Sequence, residues 1–272
     1  MSLADDIDRI ERERKAREAG LTLWFLALAE RARRRVVSAI RVGAIWGGVL
    51  RGVLLGDERL DQPGGVPFLR RAMLETHRTG VRQVGKLVGE AVDDLADLPT
   101  IRQYEAAAMR QLEGVRGTLD EAITARLRDA ATADRITADV GAVREAFRST
   151  GWTPDSPRAA ETEATAAVTR AYAGGMQQGV SQVAEVLSGL RFVNPLDANT
   201  TDICRVRAGI KLPLDHPWLF RNWPPLHYGC RSLMLPVTDR VKFTESLPTV
   251  PPPELGWGQW NGLLSAFTPR PS

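Results

Sequence analysis

The stretch NPLDANTTDICRVRAGIKLPLDHPWLFRNWPPLHYGCRSLMLPV, residues 194–237, decides the interpretation of this chain. It holds both cysteines, two of the three histidines and an adjacent proline pair. A short apolar run lies at each end of this stretch. The runs are LRFVNPLD at residues 190–197, which starts just before it, and RSLMLPV at residues 231–237, and each predicts a strand. The turn-forming residues between these runs predict a loop-rich insertion. We therefore expect a small α+β module with a few short strands here.

Outside this stretch the pattern is helical, which makes the predicted fold mainly α. Residues 2–55 predict one long helix or two in series, and residues 68–98 and 101–149 predict further helices. The turn-rich segment at residues 150–157 marks the clearest domain boundary, and an alanine-rich helix follows it. Small residues recur along that helix, which indicates that a helix or a sheet packs close to its backbone. The predicted domains are an elongated helical region at 1–150, the α+β module at 151–245, and an extended tail rich in proline and glycine at 246–272.

Composition limits the class of protein. Hydrophobic residues make up 43% of the chain and charged residues 25%, so a packed core is expected. Two cysteines in 272 residues do not describe a disulfide-stapled secreted domain. The N-terminus alternates acidic and basic residues and lacks the apolar core of a secretory signal. No run reaches the roughly 18 apolar residues of a membrane span, so we expect a soluble protein without a membrane partner.

Arginine dominates the basic residues, since all but four of the 36 are arginine. A local cluster lies within the predicted helical residues 2–55, and its members are Arg31, Arg33, Arg34, Arg35 and Arg41. The planar guanidinium suits phosphates, so this cluster is a candidate contact for DNA or for a partner. A solvated helix face is the alternative interpretation.

Apolar residues in the first 28 positions share one helical register. They are Leu3, Ile7, Ile10, Leu21, Trp24 and Leu28, and Arg14 and Arg17 interrupt the series. This interrupted seam favours packing within the same chain. Weak self-association through residues 3–28 is the alternative.

Cys204, His227 and Cys230 are the candidate metal ligands. A closed structural zinc site needs four ligands, and neither His216 nor Asp202 stands at a diagnostic spacing for the fourth. Two buried thiols or a disulfide are the alternatives to zinc. We expect no catalytic residue and no obligatory cofactor.

Polar residues of the same region predict a structural knot. The proline pair before His227 holds the chain extended and fixes this side chain in place. Buried charges need partners, so we predict a buried knot of Glu163, Asp197, Thr200, His227 and Arg231. It would staple the insertion to the preceding helix, with Trp218, Phe220 and Trp223 covering it.

An ordered series of short motifs carries a family resemblance. The motifs are Thr162-Glu163 on the alanine-rich helix, Asp197 with Thr200, then Cys204 and Gly209, and finally Pro224-Pro225-Leu226-His227-Tyr228-Gly229-Cys230-Arg231 before the last strand. In this order, over residues 158–237, the chain resembles the phage Mu protein F-like family of minor capsid or head morphogenesis proteins. Two further cysteines common in that family are replaced here, in the regions of Thr201 and Ser232.

The resemblance implies a structural protein of the virion and not an enzyme. A member of this family would be a low-copy component of a tailed phage or of a phage-like particle such as a gene transfer agent. It would be made in the bacterial cytoplasm and lie inside the head near the portal. Its partners would be the portal protein, other capsid proteins and packaged DNA, and its role head assembly or DNA delivery. The alternative is a metal-dependent hydrolase or toxin-linked module that uses Cys204, His227 and Cys230.

Overall fold

The computed structural model describes residues 3–41, 66–129, 135–227, 229–238 and 241–254, together with Gly258. These residues are mainly helical, with a small antiparallel sheet toward the C-terminus, as the sequence predicts. None of the described helices combines the length and the apolar content that a membrane crossing requires. The glycine-rich segment at residues 43–56 lies outside the described residues.

The helices are α1 (Leu3–Arg41), α2 (Val66–Val88), α3 (Leu98–Asp129), α4 (Arg135–Ser149), α5 (Arg158–Gln182) and the single turn α6 (Asp202–Arg205). Turns of 3-10 helix occupy Ala184–Val186 and Pro217–Arg221. The strands are β1 (Gly189–Val193), β2 (Lys211–Leu212) and β3 (Leu233–Val237). The predicted strands at both ends of the insertion are therefore present, and the insertion adds only the short β2 between them.

The chain divides into two compact units that interleave in sequence. The first unit contains residues 1–72 and 98–165, and the second contains residues 73–97 and 166–272. The predicted domains are single consecutive segments, whereas each of these units combines two separate segments of the sequence. The predicted boundaries near residues 150 and 245 stay a prediction.

In the first unit α1 packs against α4, and α4 packs against α3. Ile10 and Phe25 of α1 are fully buried, and the Phe25 ring meets the Trp152 ring edge-on with centroids 6.0 Å apart. Arg14, which interrupts the apolar seam, is buried with its guanidinium 3.7 Å from Glu18. Ile10 and Leu21 of the seam are therefore buried, whereas Ile7, Trp24 and Leu28 are half-buried. Self-association through residues 3–28 stays a prediction.

In the second unit the glycines of α2 and α5 bring the two helices into close contact. A methyl group on Gly175 would overlap the main-chain carbonyl of His77, and one on Gly80 would overlap that of Tyr172. The same approach places Gly179 against Val84, where a methyl carbon would lie 2.8 Å from the valine Cβ. The close neighbour predicted for the small-residue helix is α2.

The sheet of the second unit positions the insertion. Its order is β2-β1-β3, and both pairings are antiparallel. The register sets Leu190 opposite Leu212 and Phe192 opposite Met234, and all four side chains are buried. Because β1 and β3 pair directly, the first and last residues of the insertion leave the sheet side by side.

Candidate functional site

The site forms where the two ends of the insertion meet. After β1, a turn leads into α6, which carries Cys204. The Cys204 amide donates to the Thr201 carbonyl at 3.0 Å, so this short turn orients the thiol. At the other end, His227 and Cys230 come just before β3. The positive φ of Gly229, 71°, lets the chain reverse between them.

Cys204, His227 and Cys230 form one buried cluster. Cys204 Sγ lies 3.6 Å from Cys230 Sγ and 3.1 Å from His227 Nε2. The three ligand atoms all lie within 4.8 Å of one another. Both cysteines are free thiols in this structure, and each residue of the cluster is at most 6% exposed. The sequence-predicted ligand set is thus a spatial cluster of one nitrogen and two sulfur donors.

The Cys204 and Cys230 thiols share a hydrogen bond, which moves the pKa values of the two groups apart. The bond to Cys230, reinforced by burial, raises the pKa of Cys204 well above its usual value. The same bond lowers the pKa of Cys230 well below its usual value, against the opposing effect of burial. The pair therefore loses its first proton more readily than its second. Thiolate is the form of cysteine that binds metals and attacks electrophiles.

Asp197 and Arg231 form an ion pair across the same two ends. Arg231 Nη1 donates to Asp197 Oδ2 at 2.8 Å, and Nη2 donates to Oδ1. The Thr200 hydroxyl also contacts Asp197 Oδ1, at 3.1 Å, and donates to the Pro195 carbonyl. These hydrogen bonds, that of Arg231 above all, hold the pKa of Asp197 far below its usual range.

The predicted polar knot is divided in the structure. Asp197 is 46% exposed and Arg231 27%, so their pair lies at the surface and not in a buried knot. His227 is buried, with Nε2 directed at the Cys204 sulfur and at Thr201 Oγ1, 3.0 Å away. The physical reason is that burying the two charges would cost them their hydration, and an ion pair at the surface avoids this desolvation penalty.

Glu163 belongs to the first unit, whereas the other four predicted knot residues belong to the second. Its carboxylate and its main-chain carbonyl both accept hydrogen bonds from Gln111 Nε2, at 2.6 and 2.7 Å. Gln111 lies on α3, so this contact ties α5 to α3. Sequence reasoning did not anticipate Gln111 as the partner of Glu163.

A second polar centre of the insertion was missed by sequence reasoning. The side chain of Arg207 is fully buried, and its Nε and Nη2 donate to Asn222 Oδ1 at 2.9 and 2.7 Å. Nη2 also donates to the Pro251 carbonyl at 2.6 Å, which fastens the tail to the insertion. Trp218, predicted to cover the knot, lies instead 5.8 Å from the Arg207 guanidinium. The available cue was Asn222, a polar residue inside the apolar run before the proline pair.

A small polar pocket opens beside the cysteine and histidine cluster. Cys204, His227, Thr201, Ser232 and Asn194 are among its lining residues. Two of the three cluster residues therefore border a space that a solvent molecule can enter. The arrangement can hold a metal ion with one position facing this pocket.

The predicted arginine contact lies on α1, away from this cluster in sequence. Arg33 and Arg34 both pair with Glu30, at 2.6 and 2.8 Å, while Arg31 is exposed. The side chain of Arg41 lies outside the described part of the chain. A contact of this cluster with DNA or a partner stays a prediction.

Comparison with known proteins adds no relative. No family model, no curated protein and no solved structure matches this chain. The resemblance to the Mu protein F-like family therefore stays a prediction from the motifs.

Proposed function

We propose that this chain is a structural minor protein of a tailed-phage head or a phage-like particle. It would lie near the portal and act in head assembly or in DNA delivery. The observation that carries the proposal is the mutual contact of the motifs on which the resemblance rests. Asp197 and Thr200 contact Arg231, and Cys204 contacts His227 and Cys230, although 23 to 34 residues separate the partners.

These contacts fit a structural role because each of them closes the insertion upon itself. The ion pair joins residue 197 to residue 231, and the sulfur contact joins residue 204 to residue 230. Side chains that bind one another across a loop fix its shape and leave it ready to dock as a rigid surface. The insertion would thus present a preformed face to the portal or to another capsid protein.

Purified particles test this proposal. We expect mass spectrometry of DNA-filled heads to find the chain in low copy, and cryo-electron microscopy to locate it at the portal vertex. Arg231→Ala, which opens the ion pair, should reduce incorporation. Arg221→Ala is the matched control, since Arg221 is exposed in the same insertion. A chain abundant in the host extract yet missing from filled heads contradicts the proposal.

A metal-dependent hydrolase is the second candidate, and the pocket is the observation that favours it. Three protein ligands with a fourth position open to solvent are typical of catalytic zinc sites. A general base is the part that is harder to find, because Asp197 is already hydrogen-bonded to Arg231. Metal-loaded protein should be assayed against ester, phosphodiester and peptide substrates. Turnover that disappears in Cys230→Ser would favour the hydrolase over the structural role.

A further inference from the structure

We infer that Cys204, His227 and Cys230 bind one zinc ion, with a solvent molecule in the fourth position on the pocket side. This inference does not depend on the proposed function, because it rests only on the donor atoms and their surroundings. It makes the insertion a metal-clasped loop.

The donor spacing fits a tetrahedral zinc ion. Zn–S bonds of about 2.3 Å and Zn–N bonds of about 2.0 Å at tetrahedral angles place two sulfurs roughly 3.8 Å apart and a sulfur and a nitrogen roughly 3.5 Å apart. Cys204 Sγ stands 3.6 Å from Cys230 Sγ and 3.1 Å from His227 Nε2. The three donor atoms lie within 4.8 Å of one another, so side-chain shifts of roughly 1 Å would complete the geometry. A disulfide needs sulfurs at about 2.05 Å.

The donor set and its burial select the class of metal. Two thiolates and an imidazole are the ligands of zinc and other thiophilic ions, and not of magnesium or calcium. Two thiolates also neutralise the double charge of Zn²⁺, which lowers the cost of holding the ion among residues that are at most 6% exposed. The cluster is therefore suited to a buried neutral zinc centre.

The fourth position is indicated by polar groups that lack partners. No fourth His, Cys, Asp or Glu joins the cluster within the described residues. Within those residues the side-chain amide of Asn194 finds no hydrogen-bond partner, and the hydroxyl of Ser232, a residue 2% exposed, faces the Cys204 thiol. Both residues line the pocket beside Cys204 and His227. Because buried polar atoms are almost always satisfied, a zinc-bound water would supply the missing partner.

Metal content tests the inference directly. The full chain, purified from zinc-containing medium without chelators, should carry about one zinc ion per chain. Inductively coupled plasma mass spectrometry measures this content. We expect Cys204→Ser and Cys230→Ser to lose this zinc. Asp202→Asn should keep it, because Asp202 is 92% exposed and outside the cluster. Unchanged zinc content in either cysteine variant would overturn the inference.

Cobalt binding to the unmodified chain guards against variants that fail to fold. The protein is stripped of metal under reducing conditions, its helical circular dichroism is checked, and Co²⁺ is added. The expected result is the visible absorption of tetrahedral cobalt with a thiolate-to-cobalt charge-transfer band, both abolished by added Zn²⁺. A folded chain that shows no thiolate band refutes the zinc site.

Discussion

Two regions of the second unit are held together by different physics. The pair α2 and α5 packs through backbone close to backbone, with Gly80 and Gly175 each facing a carbonyl of the other helix. The insertion between β1 and β3 is held by polar and sulfur side chains, namely Cys204 with Cys230, Asp197 with Arg231 and Arg207 with Asn222. The helix pair should therefore be sensitive to added volume, and the insertion to lost chemistry.

Metal removal should produce the largest difference in stability between the insertion and the helix pair. With free zinc a thousandfold above the dissociation constant, the ion would stabilise the state that binds it by about 4 kcal/mol. Chelation should therefore make residues 194–231 exchange amide hydrogens faster, while α2 and α5 keep their protection. Hydrogen exchange with mass spectrometry measures both regions in one sample. Equal protection of the insertion with and without chelator would contradict the clasp.

Adding one methyl group should damage the helix pair nearly as much. Gly175→Ala places a carbon against the His77 carbonyl, and overpacking against rigid backbone costs about 3 kcal/mol. Urea unfolding followed by circular dichroism measures the loss. Gly114→Ala is the matched control, because Gly114 is helical and exposed with no atom within 4 Å of the added methyl. The control should gain about 0.5–1 kcal/mol, and similar values for both variants would disprove the close approach.

Loss of one amide side chain should weaken the insertion. Asn222→Ala removes the acceptor of two hydrogen bonds from the buried Arg207, and we expect a loss of about 2 kcal/mol in the free energy of unfolding. Asn199→Ala serves as the control, since Asn199 is exposed in the same region, and its effect should stay within about 0.5 kcal/mol. The two variants compare the buried and the exposed side of one loop by chemical denaturation.

Exposed ion pairs should contribute least, and with a defined pH dependence. The hydrogen bond from Arg33 lowers the pKa of Glu30 from 4.5 to about 2, so its pairing stabilises the fold above pH 4.5. This contribution should fade as the pH falls from 4.5 toward 2, because protonation then occurs in the folded state also. Glu30→Gln should cost less than about 1 kcal/mol at neutral pH. Urea titrations at several pH values measure it, and a difference that grows on acidification would reverse the predicted sign.

Local patterns in the sequence were sufficient for the elements of the fold. The helical character of the chain, the two strands that bound the insertion and the close helix contact at the small residues of α5 follow from periodicity and residue size, which act over a few positions. The helix predicted over residues 68–98 is shorter in the structure, because α2 ends at Val88. The grouping of Cys204, His227 and Cys230 was also foreseeable, because scarce residue types stood close together in one loop.

The partners of the common residue types were not foreseeable. Arg207 looks like any other arginine in the sequence, yet its side chain is fully buried and donates to Asn222. Glu163 was expected at the insertion and instead binds Gln111. Such pairs join residues 15 to 52 positions apart, so they depend on the path of the chain through loops. Local sequence patterns thus determined the elements, and the closeness of scarce residue types in the sequence indicated the cluster of Cys204, His227 and Cys230. Tertiary structure alone decided which charges are buried and which remain in water.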